Sequence, residues 1–287
     1  MSRLGRVHVG GTNPVRIMGI INASPESFYK KSIRTEAESI ASMAKQMEHD
    51  GADFIDVGGM STAPYLRTIV KEKTEIERVT RAIRAIQRVS KLPVSVDTCR
   101  ASVAKAAFEL GADILNDVTG LQHDASMAGV LEEYRPSVIL CAYSKDSVFG
   151  NQIVQTKRLL RKSLLIANKS GIPNSRIAVD PAIGFFRKKA QGVFFTKISS
   201  DWLKRDLTIL QNLQRIKNGH PLVVSVSRKS FIGRILEQDD PDKRLAGSLA
   251  AETVAVLRGA DVVRTHNVKA SFDAVQIAEK LKNKKGL

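Results

Sequence analysis

The amino-acid sequence predicts an α/β fold of the TIM-barrel type, a (β/α)8 barrel formed as a single domain over residues 1–287. Short apolar runs alternate with amphipathic helical segments along the chain, and eight runs are the number that a closed parallel barrel needs. Continuous apolar runs are typical of parallel strands that are buried on both faces. The eight runs are residues 15–21, 54–57, 94–96, 114–115, 138–141, 177–179, 222–226 and 262–263.

The segments between these runs have the spacing of amphipathic helices, with apolar residues every three or four positions. An open doubly wound sheet is the alternative fold, and it normally has a glycine-rich phosphate-binding turn after its first strand. Residues 22–27 read NASPES and contain no glycine, which favours the barrel. Two predicted apolar stripes are Ile40, Ala44 and Met47, and Leu203, Leu207, Leu210 and Leu213.

A Gly-Ala-Asp tripeptide occurs three times, beginning at Gly51, Gly111 and Gly259. Each copy follows a helical segment and precedes an apolar run. Glycine suits the left-handed residue that ends a helix, and a tight turn then leads into the next strand. The repeat therefore marks the amino-terminal ends of the strands, where we expect a structural role.

The net charge is the unusual feature of the composition, because 45 Lys+Arg against 29 Asp+Glu give +16. Such a charge can indicate affinity for nucleic acid, a membrane surface or an anionic substrate. The basic residues are spread along the chain, and aromatic residues make up only 5% of it, so platforms for stacking bases are scarce. We predict no nucleic-acid partner and assign the charge to solvated helix faces, such as that formed by Arg78, Arg81, Arg84 and Arg88.

Neither a membrane span nor a secreted framework is indicated. No run of about 18 apolar residues occurs, and the first residues lack the apolar core of a signal peptide. Cys99 and Cys141 lie in apolar runs, which predicts buried thiols and not a disulfide or metal pair. A reducing, cytoplasmic location is expected.

Polar residues stand at the carboxyl ends of seven of the eight runs, the fifth being the exception. In a (β/α)8 barrel these ends open into one mouth, where catalytic residues gather. Capping of helices or turns explains single cases better than it explains the whole set. The residues are Asn22, Asp56, Asp97, Asn116, Asp180, Arg228, Lys229, Arg264 and His266.

These residue types suit a flat heterocycle that carries a phosphate group. Asp97, Asn116 and Asp180 offer acceptors to ring N–H groups, and Lys229 can donate to a ring carbonyl or nitrogen. Phosphate sites in barrels commonly involve the last two strands, where Arg264 lies next to His266 in the sequence. The alternative for either aspartate is loop capping or an ion pair with an arginine. Asp56 is expected to orient neighbouring groups.

The segments that carry these residues resemble dihydropteroate synthase, the family of pterin-binding barrel enzymes in folate biosynthesis. They follow the order of that family over almost the whole chain, and together they are highly specific. The segments are MGIINASPESF at 18–28, GADFIDVGGMST at 51–62, VSVDT at 94–98, GADILNDVTG at 111–120, DPAIGF at 180–185, SRKSFIG at 227–233 and RTH at 264–266.

The resemblance implies a transferase that condenses 6-hydroxymethyl-7,8-dihydropterin diphosphate with 4-aminobenzoate to give dihydropteroate and diphosphate. Its partners are then small-molecule substrates, its cofactor is Mg²⁺, and a homodimer is possible. By motif position, the pterin is held by Asp97, Asn116, Asp180 and Lys229. The residues implied in catalysis are Asn22, Lys229, Arg264 and His266.

The remaining roles also follow from motif position. Asn22 is implied as the protein ligand of the magnesium diphosphate, while Arg264 and His266 bind its phosphates. The two loops after the first and second strands contribute the rest of the pocket. Phe28 and Pro64 shape the aminobenzoate pocket with Ser230, and Thr62 contacts the diphosphate or orders the second loop.

Departures from the family pattern cluster on the side of the second substrate. Ala63 stands where the family usually has arginine, and Met60 replaces a usual glutamate. Lys30 or Lys31 is a candidate for the missing positive charge. Two alternative functions stay open: a methyltetrahydrofolate:corrinoid methyltransferase, which uses a similar barrel, and a non-catalytic pterin-binding or nucleic-acid-associated protein. The amine is 4-aminobenzoate or a larger arylamine.

Overall fold

A closed sheet of eight parallel strands forms the centre of the computed structural model, which describes residues 1–24, 36–60, 69–189 and 192–282. Short strands β1 (Ser2–Leu4) and β2 (Val7–Val9) precede it, and β9 (Phe186–Arg187) and β10 (Thr196–Lys197) follow its sixth strand. The barrel strands are β3 (Arg16–Asn22), β4 (Phe54–Gly58), β5 (Val94–Asp97), β6 (Ile114–Asp117), β7 (Ser137–Cys141), β8 (Ile177–Asp180), β11 (Val223–Val224) and β12 (Val262–Thr265).

The strand order confirms the predicted (β/α)8 barrel. Neighbours run β11-β12-β3-β4-β5-β6-β7-β8, all in parallel pairs. A parallel bridge between Val179 and Leu222 joins the two outer strands and closes the sheet. All eight predicted runs coincide with barrel strands. The seventh differs most, because 222–226 was predicted and only Val223–Val224 pairs as a strand.

Helices alternate with the strands and pack around the barrel. Ile40, Ala44 and Met47 are buried on the first helix, as their spacing predicts. The helices are α1 (Ala37–His49), α2 (Glu72–Gln87), α3 (Ala101–Glu109), α4 (Met127–Tyr134), α5 (Gln152–Lys169), α6 (Trp202–Gln211), α7 (Leu213–Ile216), α8 (Ser230–Leu236), α9 (Leu245–Leu257) and α10 (Val268–Lys282), with single 3₁₀ turns at Asn174–Arg176 and Pro241–Lys243.

The Gly-Ala-Asp repeat has the structural role that the sequence predicts. Its glycines adopt positive φ, at 96° for Gly51, 83° for Gly111 and 103° for Gly259. Its aspartates fasten the turn to the neighbouring strand. Each carboxylate accepts a hydrogen bond from a backbone N–H: Asp53 from Ile17 (2.8 Å), Asp113 from Val94 (3.0 Å) and Asp261 from Leu222 (2.7 Å).

An N-terminal hairpin closes the amino-terminal end of the barrel, and the sequence did not predict it. Strands β1 and β2 pair in antiparallel register, and Leu4 and Val9 are buried against the inward-facing Met18, Phe54 and Ile114. Three-residue strands are too short to show a two-residue hydrophobic period. The hairpin fills the lower barrel, so the mouth is the end that is left for ligands.

The apolar stripe predicted for α6 is only partly correct. Leu210 is buried, whereas Leu203 and Leu207 are half-buried. The inner face also carries Arg205 and Asp206, both of which are fully buried and joined by an ion pair of 3.0 Å. Hydrophobic periodicity cannot identify a buried charged pair, because each partner reads as a surface residue in the sequence.

The prediction of buried thiols is confirmed in the described residues. Cys99 and Cys141 are buried free thiols. Among the helices of residues 1–24, 36–60, 69–189 and 192–282, none has the length and apolar character needed to cross a membrane.

A buried carboxyl group between α9 and α10 predicts an unusual pH dependence of stability. Glu252 is 0% exposed, accepts a 2.6 Å hydrogen bond from Ser271 Oγ, and has its pKa raised by burial from 4.5 to about 7. The folded protein therefore binds the proton more tightly, so this group lowers the free energy of unfolding as pH rises from about 4.5 to about 7.

We expect the free energy of unfolding of Glu252→Gln, taken relative to that of the wild type, to increase by about 3 kcal/mol as pH rises from 4.5 to 8, since one pKa unit is worth about 1.4 kcal/mol. Urea unfolding at several pH values measures the difference. Glu38→Gln, at a mostly exposed carboxyl group on α1, is the control and should show no such trend. A constant difference between Glu252→Gln and the wild type across this range would contradict the prediction.

Candidate active site

Four mouth positions lie on one level of the barrel. The register pairs Asn22 with Gly58, Gly58 with Asp97, and Asp97 with Asn116 across β3, β4, β5 and β6. Partners in a parallel ladder point their side chains to the same face of the sheet. The structure therefore brings Asn22, Asp97 and Asn116 to the same edge of the mouth.

Arg264 lies at the centre of a charged cluster, which we call the Arg264 cluster and define as Asp56, Asp97, Asn116 and Arg264. Its Nε and Nη2 atoms both lie 2.6 Å from Asp56 Oδ2, and Nη2 also lies 2.6 Å from Asp97 Oδ2. Asn116 donates to Asp56 through Nδ2 at 3.3 Å. The side chain of Asp56 is 0% exposed and that of Arg264 is 15% exposed, so the charges neutralise one another away from bulk water.

The pKa values of Asp97 and Arg264 are both raised above their ordinary values, but for different reasons. Burial raises the pKa of Asp97 to about 7, against the opposing charge of Arg264. Burial also acts to lower the pKa of Arg264, but the carboxylates of Asp56 and Asp97 outweigh it and raise that pKa above its ordinary value. Arg264 therefore stays charged, while Asp97 titrates near neutral pH.

Asp180 and Lys229 occupy the opposite side of the mouth. Asp180 Oδ1 accepts a 2.6 Å hydrogen bond from the N–H of Ala182, and burial raises the pKa of this carboxyl group. The Nζ atom of Lys229 lies 4.0 Å from the centre of the Phe185 ring. Burial and the nearby Arg264 lower the pKa of Lys229 to about 8. Lys229 is thus a cation that loses its proton more easily than a solvated lysine.

Gly184 is required by the position of Lys229. The glycine has φ +89°, and a Cβ atom there would lie only 2.9 Å from Lys229 Cδ. The positive φ disfavours any residue with a side chain, and a Cβ atom would also displace the Lys229 side chain. The segment 180–185 is thereby shaped around the lysine.

His266 rests against the loop that follows β11. Its Nδ1 atom lies 3.1 Å from Ser227 Oγ, and its backbone N–H donates to the same hydroxyl at 3.4 Å. Burial and the positive charge of Arg264 lower the pKa of His266 well below its ordinary value. The imidazole is therefore neutral at physiological pH and offers a hydrogen bond without a charge.

Part of the predicted second-substrate side lies outside the described residues. This applies to Phe28, Thr62 and Pro64, and also to Lys30, Lys31 and Ala63. Ser230 is described and begins α8, where its Oγ atom accepts a 2.6 Å hydrogen bond from Arg187 Nη2.

The sequence did not single out the network that shapes the loop after β8. Arg205 donates to the carbonyl groups of Pro181 (2.7 Å) and Ala182 (3.0 Å), and its guanidinium lies 3.7 Å from the centre of the Phe186 ring. Asp206 accepts from the N–H of Gly184 at 3.1 Å. This pair positions the segment that holds Asp180, and only the buried tertiary contacts identify it.

Glu75 is a second positioning residue that the sequence did not indicate. It is buried on α2, accepts 2.7 Å hydrogen bonds from Thr98 Oγ1 and Arg100 Nη1, and has its pKa raised by burial. Since Thr98 follows Asp97 directly, the contact fixes the end of β5 and hence the direction of the Asp97 carboxylate.

The fold and the mouth are those of a barrel that binds a polar heterocycle, and a family model described as pterin binding enzyme matches residues 18–266. A dihydropteroate synthase of Synechocystis sp. is 33% identical over 273 residues, covering 92% of this chain and 89% of the relative. The chain belongs to the dihydropteroate synthase family.

Solved structures agree with this assignment. A Coxiella burnetii dihydropteroate synthase in complex with pteroic acid has a TM-score of 0.81 and 32% identity, with 95% of each chain covered. A Xanthomonas albilineans dihydropteroate synthase with 4-aminobenzoic acid has a TM-score of 0.81 and 29% identity, with 94% of each chain covered. The predicted family and fold are thus confirmed.

Proposed function

We propose that this chain condenses 6-hydroxymethyl-7,8-dihydropterin diphosphate with 4-aminobenzoate, or a related arylamine, to give dihydropteroate and diphosphate in folate biosynthesis. One observation carries the proposal: Asp97, Asn116, Asp180 and Lys229, which are distant in the sequence, converge on one barrel mouth. The pteroic acid and 4-aminobenzoic acid bound in the two related structures support it.

Recognition of the pterin follows from the hydrogen-bonding capacity of these four groups. The carboxylates of Asp97 and Asp180 and the amide oxygen of Asn116 accept from the N–H groups of the ring. Lys229 donates to the ring carbonyl or a ring nitrogen. Buried ring N–H groups without acceptors are costly, so these contacts select this heterocycle over apolar rings of the same size.

The chemical step replaces a C–O bond with a C–N bond. The amine lone pair attacks the methylene carbon of the pterin, the diphosphate leaves with the C–O electron pair, and the anilinium proton passes to solvent. Arg264 holds carboxylates through Nε and Nη2, and we assign Nη1 to the leaving diphosphate together with the neutral His266. Donors aimed at the developing anion are the main contribution that the protein makes.

Magnesium is proposed as the cofactor, with Asn22 as its protein ligand. Among the described residues, no group of three or more His, Cys, Asp and Glu side chains is arranged to hold a metal. Mg²⁺ binds oxygen, keeps several waters, and commonly uses one or two protein groups plus substrate phosphates. The amide oxygen of Asn22 at the end of β3 fits that pattern. When bound, the ion neutralises diphosphate charge.

Release of diphosphate tests the function directly. The purified protein, Mg²⁺ and the pterin diphosphate should release diphosphate and form dihydropteroate, identified by mass, only when 4-aminobenzoate is added. The pterin alcohol without its diphosphate is the control substrate and should give no product. Methyl transfer from methyltetrahydrofolate to cob(I)alamin, or salt-sensitive binding of random DNA duplex without any diphosphate release, would instead support one of the two alternatives.

A homodimer is also proposed. Apolar side chains are exposed on the two outer helices α9 and α10, which supports pairing through this face. Light scattering on the purified chain, with twice the monomer mass expected, tests it. The exposed residues are Val254, Leu257, Ile277 and Leu281.

A further inference from the structure

Arg187 is a buried cation beside the pterin-binding groups for which the sequence indicates no role. It ends β9, directly after the loop of Asp180, and its side chain is only 12% exposed. Its Nη1 atom donates to the carbonyl of Phe186 at 2.7 Å, and its guanidinium lies 4.4 Å from the centre of the Trp202 ring. These contacts hold the guanidinium in one place and leave Nη2 directed at Ser230 Oγ, 2.6 Å away.

The surrounding charges do not fully neutralise Arg187. Its carboxylate neighbour Asp206 is 3.6 Å away, whereas Asp206 lies closer to Arg205, at 3.0 Å, and also accepts from Gly184. Two guanidinium groups thus share one carboxylate in a buried setting. The positive charge of Arg187 also contributes to lowering the pKa of Lys229. A site with one excess buried positive charge favours an anionic ligand.

The backbone that carries Arg187 is well supported. Strand β9 pairs with β10, with Phe186 opposite Thr196 and Arg187 opposite Lys197. The loop after β7 supports β10 through the N–H of Ser144, which donates to Thr196 Oγ1 at 2.9 Å. Tyr143 donates to the carbonyl of Val193 at 2.7 Å. A preorganised cation loses little entropy when it binds a ligand.

We propose that Arg187 binds the carboxylate of the arylamine substrate beside Ser230, which motif position already assigns to the aminobenzoate pocket, and that Arg187 determines the preference for an acidic amine over a neutral one. This inference rests on the proposed function. Ser230 Oγ accepts from Arg187, so its own O–H is available to donate to one carboxylate oxygen. The planar guanidinium donates to the other, an arrangement that an ammonium group does not reproduce. The amino group of 4-aminobenzoate attacks the pterin methylene and the carboxylate is para to that group, so the carboxylate bound by Arg187 and Ser230 lies at the end of the ring away from the pterin.

Two amines that differ only in charge test the proposal: 4-aminobenzoate and 4-aminobenzamide. In Arg187→Met, the KM for 4-aminobenzoate should rise about 10- to 100-fold, the effect of losing hydrogen bonds to a charged group. The KM for the amide and the KM for the pterin diphosphate should each change less than about threefold. Lys188→Met, which removes an exposed neighbouring charge, is the matched control and should leave all three values as in the wild type.

Calorimetric binding of both amines, which needs no turnover, separates this proposal from the proposed function. Absence of diphosphate release in the wild type with either amine would overturn the proposed function. An acid-over-amide preference in binding that Arg187→Met retains would overturn the role of Arg187, whether or not the enzyme turns over. If circular dichroism shows that Arg187→Met does not fold, Arg187→Lys decides: it should lose most of the preference, and full retention overturns the proposal.

Discussion

Replacement of Arg264 with glutamine is expected to lower kcat/KM for the pterin diphosphate about 1,000-fold, because the variant loses a charged donor to the leaving diphosphate and the partner that orients Asp97. The same change should lower the free energy of unfolding by about 3 to 5 kcal/mol. Asp56 is 0% exposed and would remain as an uncompensated buried carboxylate. Initial rates of diphosphate release and urea unfolding at pH 8 measure the two effects.

Two further variants make this result specific. Arg88→Gln removes an exposed arginine that pairs with Glu38, and should cost less than about 1 kcal/mol without affecting the rate. Adding Asp56→Asn to Arg264→Gln removes the stranded charge and should restore most of the lost stability, but not the activity. An Arg264→Gln variant that retains wild-type stability would mean that the Arg264 cluster is not coupled as its 2.6 Å contacts indicate.

The barrel strands were predictable because each is buried on both faces and so appears as an apolar run. The turns before three of them were predictable from a repeat whose glycine has a conformational reason and whose aspartate has a hydrogen-bonding reason. Strands β1, β2, β9 and β10 have two or three residues each and carry no periodic signal. Their positions depend on contacts with distant parts of the chain.

The common location of the polar residues at the strand ends was predictable, because parallel strands place those ends together. The grouping of Asp97 with Asn116 and the orienting position of Asp56 are examples. What the sequence could not indicate is how charges pair. Arg264 was predicted to face phosphates, and the structure shows it between two carboxylates that lie 167 and 208 residues away in the chain. Arg187 and Arg205 read as surface cations, yet both are mostly buried.

These buried charges also account for the direction of the acidity shifts. Desolvation is the first cause of the raised pKa of Asp97, of Asp117 and of Asp180. Asp117 accepts hydrogen bonds from the hydroxyl group of Thr119 and from the backbone N–H groups of Thr119 and Leu121, and these bonds limit its raised pKa to about 6. Among the described residues, no backbone N–H donates to Asp97, and the charge of Arg264 is the main one that opposes the effect of burial on its pKa. The protonation of Asp97 therefore responds most directly to changes of charge at the mouth.

Asp97→Asn is therefore expected to remove both an acceptor for the pterin and a pH dependence. The loss of charge-assisted hydrogen bonds to the ring should lower kcat/KM for the pterin diphosphate about 100- to 1,000-fold, with the KM for the amine unchanged. In the wild type, kcat/KM should fall as pH decreases through about 7, because protonation of Asp97 removes the anionic acceptor and kcat/KM reports the free enzyme.

The variant should lack that acidic limb, since an amide does not titrate, and the residual activity should be flat between about pH 6 and 7. The pH dependence of stability has the opposite sign to that of activity. Because the pKa of Asp97 is raised, its ionisation between pH 3.8 and about 7 lowers the free energy of unfolding of the wild type, and Asp97→Asn does not undergo this loss.

Asp53→Asn, at the other end of β4, is the matched control and should retain the wild-type acidic limb, because Asp53 contacts Arg16 and the backbone of Ile17 far from the mouth. An acidic limb that persists unchanged in Asp97→Asn would assign the titration to another carboxyl group, with Asp180 as the next candidate because its pKa is also raised by burial.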